Sequence, residues 1–384
     1  MTGFFKSLKK DFKLKYYISY IGVTLVLVIS AILALSGYMN RSTQNLLTQM
    51  AYSIILAVSL NLVVGFLGEL SLGHAGFMCV GAYLGCYLAN YLHAIIPSKL
   101  AVLIITMLVG GIVAAVFGFI IGLPALRLKG DYLAIVTLAF GEIVRTIFKN
   151  QKAFGGALGL STTKYGSTLF IPAFVVVLIM LILIQNLVRS KHGRAITAIR
   201  DNEIAAKAMG INVTYYKLFV FVISAFFAGI AGVIYGHYAT PVLYSFFSYN
   251  YSIEILVMVV LGSMGSINGS IIAAVLITFI NFQLTTKLSG DLAALKYLIY
   301  AIILITIVIV NNAPALAPIK EKLSIKRILT MISTKVRKPK HDPSKRKDDE
   351  ANWDRIPTKI NMDELLSLDV KPDANYTPDK REEK

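Results

Sequence analysis

Apolar residues run along this chain in blocks of about twenty, too long for a strand and apolar on every side rather than on one helical stripe. A helix of that length crosses the roughly 30 Å hydrocarbon layer of a bilayer, and it satisfies its own backbone hydrogen bonds where no water is present. The pattern predicts spans at Tyr17–Met39, Leu46–Leu67, Leu70–Leu92, Leu100–Leu123, Leu133–Phe148, Thr168–Val188, Leu218–Ala239 and Leu292–Val310. The stretch Ile253–Phe282 differs, because Gly262, Gly265, Asn268 and Gly269 interrupt it. Two readings fit it: a pair of half-length helices forming a broken, re-entrant hairpin, or one long tilted helix with glycines on a packing face. The expected fold is an all-α polytopic membrane protein of about eight full transmembrane helices plus that hairpin, eight to ten spans in all.

Composition agrees and adds an orientation. With 56% hydrophobic and 15% charged residues and a mean hydropathy of +0.67, the chain is unlike a water-soluble globular protein. A net charge of +17 invites a nucleic-acid reading, but the basic residues flank apolar spans instead of forming one face, so no nucleic-acid partner is expected. Five lysines lie in residues 1–16, and the segment 189–217 carries six basic residues against two acidic ones. The excess of Lys and Arg on cytoplasmic loops puts both inside, six spans apart, as even parity requires. Arg127 and Lys129 agree with this scheme; Lys149, Lys152 and Lys164 count against it.

The domains expected are a basic cytoplasmic N-terminus (1–16), a permease-like membrane domain (17–318) with a cytoplasmic loop at 189–217, and a charged cytoplasmic tail (319–384). The apolar run after the N-terminal lysines is long for a leader and reads as a retained span, cleavage after Ser36 being the alternative. The last 65 residues hold 17 basic and 13 acidic side chains, a composition that resists folding, and their basic clusters suit anionic membrane lipid. Cys79 and Cys86, seven apart on one helix, cannot bridge each other.

Chemistry is sparse. The loop from Gly193 through Arg194, Ala198, Arg200, Asp201, Asn202, Glu203, Ala205 and Ala206 to Gly210 reads as two short helices. Asp201 or Asn202 caps the second, Glu203 lies in its first turn, and Gly210 ends it in a left-handed conformation. Small alanines between charges suit docking into a groove on another protein. Glu142 and Arg145, three apart at membrane depth, share a helix face; they are either contacts along a translocation path or a pair that neutralises itself near an interface. Ser71 and His74, among Gly65, Gly68, Gly81 and Gly85, mark a small-residue surface suited to packing or to backbone near solute; His74 lacks partners at metal-ligand spacing. No Gly-x-x-x-x-Gly-Lys-[Ser/Thr] loop occurs, so no ATP site of that kind is expected here, and no catalytic constellation argues for an enzyme.

Four ordered motifs then give the chain a resemblance. Asn61 to Phe77 with Gly81-Ala-Tyr83, Leu126 to Arg145, Gly193 to Gly210 and Val259 to Gly269 together resemble LivM-type permease subunits of bacterial branched-chain amino acid ABC importers. Glu203-Ile-Ala-Ala-Lys-Ala-Met-Gly210 looks like the Glu-Ala-Ala-x-x-x-Gly element that couples such permeases to their ATPases. Ser263 and Asn268-Gly269-Ser270 depart from the Gly-Gly and Gly-Pro steps expected there, and the tail lies outside the pattern. The resemblance implies an inner-membrane permease paired with a homologous permease, two ATP-binding cassette subunits holding ATP and Mg, and an extracellular solute-binding protein. It also implies import of Leu, Ile and Val, although urea, amides and nucleosides are solutes of the same permease type. A self-sufficient ion-coupled transporter or channel is the competing expectation, with Glu142 and Arg145 as its coupling groups. Gly262, Gly265 and Gly269 complete the candidate path.

Overall fold

A computed structural model of the chain describes residues 14–36, 39–128, 130–163 and 165–287, with residues 301, 302 and 305. The expected tail, the N-terminal lysines up to Lys13 and most of the last expected span lie outside the described residues. The helices are α1 (Leu14–Leu35), α2 (Arg41–Asn61), α3 (His74–Ile95), α4 (Lys99–Ala125), α5 (Asp131–Asn150) and α6 (Phe170–Arg189). After them come α7 (Lys191–Asp201), α8 (Glu203–Ala208), α9 (Val213–Tyr238), α10 (Tyr249–Leu261) and α11 (Ile267–Lys287). Six of the described helical stretches are long and apolar enough to cross a membrane: Arg41–Leu67, His74–Ile95, Lys99–Ala125, Phe170–Arg189, Val213–Tyr238 and Ile267–Thr286. α5 has comparable length but carries Glu142, Arg145 and Lys149.

Large side chains such as Tyr83, Phe77, Phe170 and Phe221 fill the interior, but α4 turns its small residues inward and its large ones outward, the inverse of a helix in a soluble protein. On α4, Gly110, Ala114, Gly118 and Gly122 recur every fourth residue on the buried face. Ile104, Leu108, Ile112, Val116 and Ile120 recur at the same spacing on the exposed face. In lipid the outer face has no reason to hide, and association relies on close backbone approach. α3 and α9 approach closely where Gly81 lies against the Gly229 backbone, and α4 joins them through Gly110. Gly85 likewise faces Val233, so these glycines serve packing.

α2 is the central strut, with every residue from Ala51 to Leu67 buried. Its last turn, Leu62–Leu67, widens into a π-helix and stops at Gly68 in the left-handed conformation. Such turns carry an extra residue per turn and are frequent at functional sites.

The break expected in Ile253–Phe282 is present, but its two helices are not both half-length: one is short and the other is long and apolar enough to cross a membrane. α10 has 13 residues and α11 has 21, separated by Gly262–Ser266. α10 is short because much of its leg is not α-helical: the chain after Tyr238 runs through a bridge between Val242 and Leu160 and a 3-10 turn, Tyr244–Phe247, before α10 begins. The break closes tightly, Gly262 lying against the Gly269 backbone, and Ser263 takes φ of 70°.

Candidate functional site

Between α6 and α9 the chain makes a projection of two short helices. Ser190 caps α7 by accepting from the backbone N–H of His192 and Gly193, and Asn202, not Asp201, caps α8 by accepting from Ala205 N–H at 3.0 Å. Gly210 follows α8 at φ of 80°, the left-handed end expected of it. The predicted loop residues divide by role. Gly193 and Ala206 are buried, Gly193 lying against the Val188 carbonyl. Arg194, Arg200, Asp201, Asn202, Ala205 and Gly210 are exposed, and Ala198 and Glu203 are half-buried. Ile204 and Met209, 81% and 83% exposed, add an apolar surface that the alanine pattern alone did not reveal.

The projection is tied to the bundle by two charged contacts. Arg200 donates from Nη1 to the Gly65 carbonyl in the π-turn of α2 at 3.1 Å, while its Nε and Nη2 hold Asp201 Oδ1 at 3.0 and 2.9 Å. Lys217, one turn into α9 and 4% exposed, places Nζ 2.5 Å from Glu69 Oε1 and 3.1 Å from Glu203 Oε2. The lysine thereby joins the α2–α3 connection, the first turn of α8 and α9. Two carboxylates offset the desolvation of one ammonium, as a buried charge requires.

The π-turn in turn grips the tip of the hairpin. Asn61 accepts from Gly265 N–H through Oδ1 at 2.9 Å and donates through Nδ2 to the Ser266 carbonyl at 3.1 Å and Ser270 Oγ at 2.9 Å. Gly65 lies so close to Gly265 that a Cβ on it would overlap the Gly265 amide. Arg200 of the projection, Gly65 and Asn61 of α2, and Gly265 at the break therefore form one contiguous set of contacts. Sequence reasoning had assigned Arg200 and Gly265 to different tasks, and the structure brings them together.

Other candidates stand apart. Glu142 and Arg145 do pair, Nη2 to Oε2 at 2.7 Å, and Glu142 Oε1 also accepts from the N–H of Tyr249, the first residue of α10. A carboxylate there complements the positive end of the helix, so the pair pins the start of α10. Glu142→Gln is expected to lower thermal stability by about 1 kcal/mol through that lost charge, measured as a small fall in the detergent-solubilised melting temperature. His74 bonds Ser59 Oγ at 2.9 Å, and Ser71 lies buried in the α2–α3 connection. Among the described residues no group of three or more His, Cys, Asp and Glu could hold a metal ion.

An apolar cavity of about 300 Å³, lined by Val26, Met50, Ile54, Ile271 and Val275 among others, lies against α11, and two cavities with more polar walls also flank the hairpin. One, of about 310 Å³, is lined by Phe66, Gln185, Arg189, Gly265 and Ser266 at the end bearing the projection. The other, of about 400 Å³, lies toward the far end and is lined by Gln49, Tyr52, Glu254, Thr278 and Asn281 among others. Ser53 and Phe66 mark the two cavities on α2, thirteen residues or roughly 20 Å apart. Buried Ile255, Met258, Val259 and Ile277 lie on α10 and α11 between the tip and the far cavity. Asn61, Glu69, Lys217 and Glu254 were missed as site residues. Their available signal was the same for all four: a polar side chain beside or within an apolar run.

Comparison with known proteins gives a consistent result. Residues 42–308 match the family described as branched-chain amino acid transport system / permease component. The chain is 36% identical over 272 residues to the high-affinity branched-chain amino acid transport system permease protein LivM of Salmonella typhimurium, and to its namesake in Escherichia coli to the same extent. The probable branched-chain amino acid transport permease protein LivM of Methanocaldococcus jannaschii is 28% identical over 253 residues, 56% of this chain and 73% of that protein. The match spans 62% of this chain and 62% of the length of each of the two bacterial relatives. No solved structure matches.

Proposed function

The chain belongs to the family of branched-chain amino acid transport permease components, and from that premise we propose that it is the membrane-spanning subunit of an ATP-driven importer of Leu, Ile and Val. In this reading a second, homologous permease lies beside it, two ATP-binding cassette subunits grip the α7–α8 projection from the cytoplasm, and an extracellular binding protein delivers solute to the far end. The N-terminus and the tail from residue 319 face the cytoplasm of a bacterial cell, as their lysines and arginines favour. ATP and Mg belong to the partners, since the sequence carries no phosphate-cradling loop. The solute class rests on what the relatives are named for.

The observation that carries the reading is the continuous contact from Arg200 through Gly65 to Gly265. A push on α7 and α8 reaches α2 and the hairpin tip without passing through solvent, and the tip lines the cavity of Phe66, Gln185 and Arg189. Nothing covalent happens to the solute; what alternates is which cavity is open. Glu142 and Arg145 act in this reading by holding the start of α10, and Ser71 and His74 by fixing the α2–α3 connection.

The test is leucine uptake into proteoliposomes holding the full set of subunits. Uptake is expected to need ATP and to vanish without the ATPase subunits. Leucine accumulation by the chain alone, driven by an ion gradient, would overturn the proposal. Within the full assembly, Glu203→Lys reverses a charge facing Lys217, and Gly210→Val forces a branched residue into the left-handed region at a cost of about 1–2 kcal/mol. Both variants are expected to lose uptake while remaining in the membrane; normal uptake by both would remove the coupling role of the projection.

A further inference from the structure

The lysines that oppose the orientation scheme lie at the end of the bundle away from the projection, and they lie there without acidic neighbours in sequence. Residues 36–41, 96–99, 149–168 and 239–248, which join helix ends there, include Arg41, Lys99, Lys149, Lys152 and Lys164 and not one Asp or Glu. Between Glu142 and Asp201 the chain has no acidic residue at all. The bias of basic residues toward the cytoplasm runs against lysines at this end. Glu142 does not explain them, since it is engaged by Arg145 and by the N–H of Tyr249.

The connection from α5 to α6 is a fixed platform. The Gln151 carbonyl accepts from the N–H of Phe154 and of Gly156 at 3.1 and 3.2 Å, folding the chain into two 3-10 turns, Lys152–Phe154 and Gly156–Leu158. Phe154 anchors the first turn against Tyr87 and Phe148, 5.0 and 5.1 Å between ring centroids. Beyond the turns, Asn90 Nδ2 donates to the Ser161 carbonyl at 2.9 Å, Leu160 and Val242 exchange backbone hydrogen bonds, and Thr162 Oγ1 donates to the Gly236 carbonyl at 3.0 Å. Asn90 and Gly236 belong to α3 and α9, both mostly buried, so the platform lies across the end of the bundle and not along its lipid-facing wall. On it Lys149 Nζ is held 5.4 Å from the centroid of the Tyr244 ring, Lys152 is exposed, and Leu158 is 85% exposed.

We propose that this platform, with Lys149, Lys152 and Leu158 as its contacts, is a docking surface for an acidic patch on the solute-binding protein. The inference rests on the importer reading above and deepens it by naming the surface that receives that partner. Rigidity favours a protein over a lipid headgroup. Headgroups rearrange around lysines on any loop, whereas two preformed surfaces meet with little loss of conformational freedom, and this loop is already held in place. The two kinds of contact have separate tasks. Cations on a segment free of acids speed the arrival of an acidic partner, an effect that salt screens. The exposed leucine beside them gives apolar area to bury, which shows in how long the partner stays.

The experiment uses the full-length chain purified with the subunits it assembles with, held in phosphatidylcholine nanodiscs, and the purified leucine-loaded binding protein as the probe. Association and dissociation are followed by biolayer interferometry. Wild type is expected to associate more slowly as KCl is raised. Lys149→Glu with Lys152→Glu is expected to slow association roughly tenfold or more and to flatten that salt dependence. Lys152→Glu alone leaves Lys149 on Tyr244 and is expected to give part of the loss. Leu158→Ser is expected to speed dissociation and to leave association unchanged. In proteoliposomes the double variant is expected to raise the binding-protein concentration that half-saturates ATP-driven uptake, with the maximal rate and the ATPase rate without binding protein both kept. Half-saturation and association that the double variant leaves unchanged would overturn the proposal, and so would a fall in maximal rate alone. An effect confined to phosphatidylglycerol nanodiscs, with loss of bound phosphatidylglycerol, would overturn it by assigning the lysines to lipid. The two readings fail separately. ATP-driven uptake whose half-saturation ignores both lysines removes the surface and leaves the importer, whereas lysine-dependent binding in an assembly without ATP-driven uptake keeps the surface and removes the importer.

Discussion

Lys217→Met is expected to reduce ATP-driven uptake to background and to lower the melting temperature of the detergent-solubilised protein by many degrees. The residue is 4% exposed, and its side chain bonds carboxylates from two separate segments, Glu69 and Glu203. Methionine fills nearly the same volume, so the cavity term is small and the effect isolates charge. Removing one partner of a buried ionic cluster typically costs about 3–5 kcal/mol, and here Glu69, its side chain 14% exposed, loses the ammonium that offsets its desolvation. Two carboxylates would then face each other across the junction of α8 with the α2–α3 connection, and repulsion would push the projection off the bundle. Lys217→Arg keeps the charge and is expected to retain part of the uptake. A double variant, Lys217→Met with Glu69→Gln, removes one of the stranded charges and should recover melting temperature without recovering uptake, since the tie to Glu203 stays broken. Uptake near wild type in Lys217→Met would show that force on the projection reaches the bundle by another route.

This cluster illustrates what periodicity does and does not reveal. Long apolar runs are strong signals, so α2, α3, α4, α6 and α9 lie close to where their runs predict them. The caps of the projection were legible for the same local reason, since Asn202 and Gly210 act on their own turns. The break at Gly262–Ser266 was visible in its glycines, but the inequality of its legs was not: the non-helical approach to α10 is held by the Leu160–Val242 bridge, which pairs residues far apart in sequence. Lys217 was readable only as one more basic residue on a cytoplasmic loop. Its value comes from Glu69, and 148 positions of chain separate the two. The same holds for the contact of Arg200 with Gly65 and for the ring of residues around Glu254, in which α2, α9, α10 and α11 each contribute part of one wall. Local spacing can identify what a residue is able to do, but tertiary packing chooses its partner.

Gly81→Val is expected to be the most damaging single change in the membrane bundle, with loss of most of the correctly assembled protein and a large fall in melting temperature for what remains. Overpacking a core ordinarily costs about 1–3 kcal/mol because side chains and backbone can shift a little to accommodate the added volume. Here the room to shift is smaller. A Cβ on Gly81 would overlap the backbone of Gly229, so no rotamer change on α9 removes the clash, and α9 is itself pressed on Ala114 and the Gly110 carbonyl of α4. Relief requires moving whole helices apart, which separates contacts along the length of α3, α4 and α9 together. In lipid the apolar faces so separated gain nothing from hiding again, since close van der Waals packing is what holds such helices together. Gly22→Val on α1 is the matched control: nothing lies within 4 Å of a Cβ built there, so near-normal yield and melting temperature are expected. The comparison needs only membrane yield and a thermal-shift curve for each variant. Equal effects at the two positions would mean that the added valine acts through general helix propensity and not through the α3–α9 crossing.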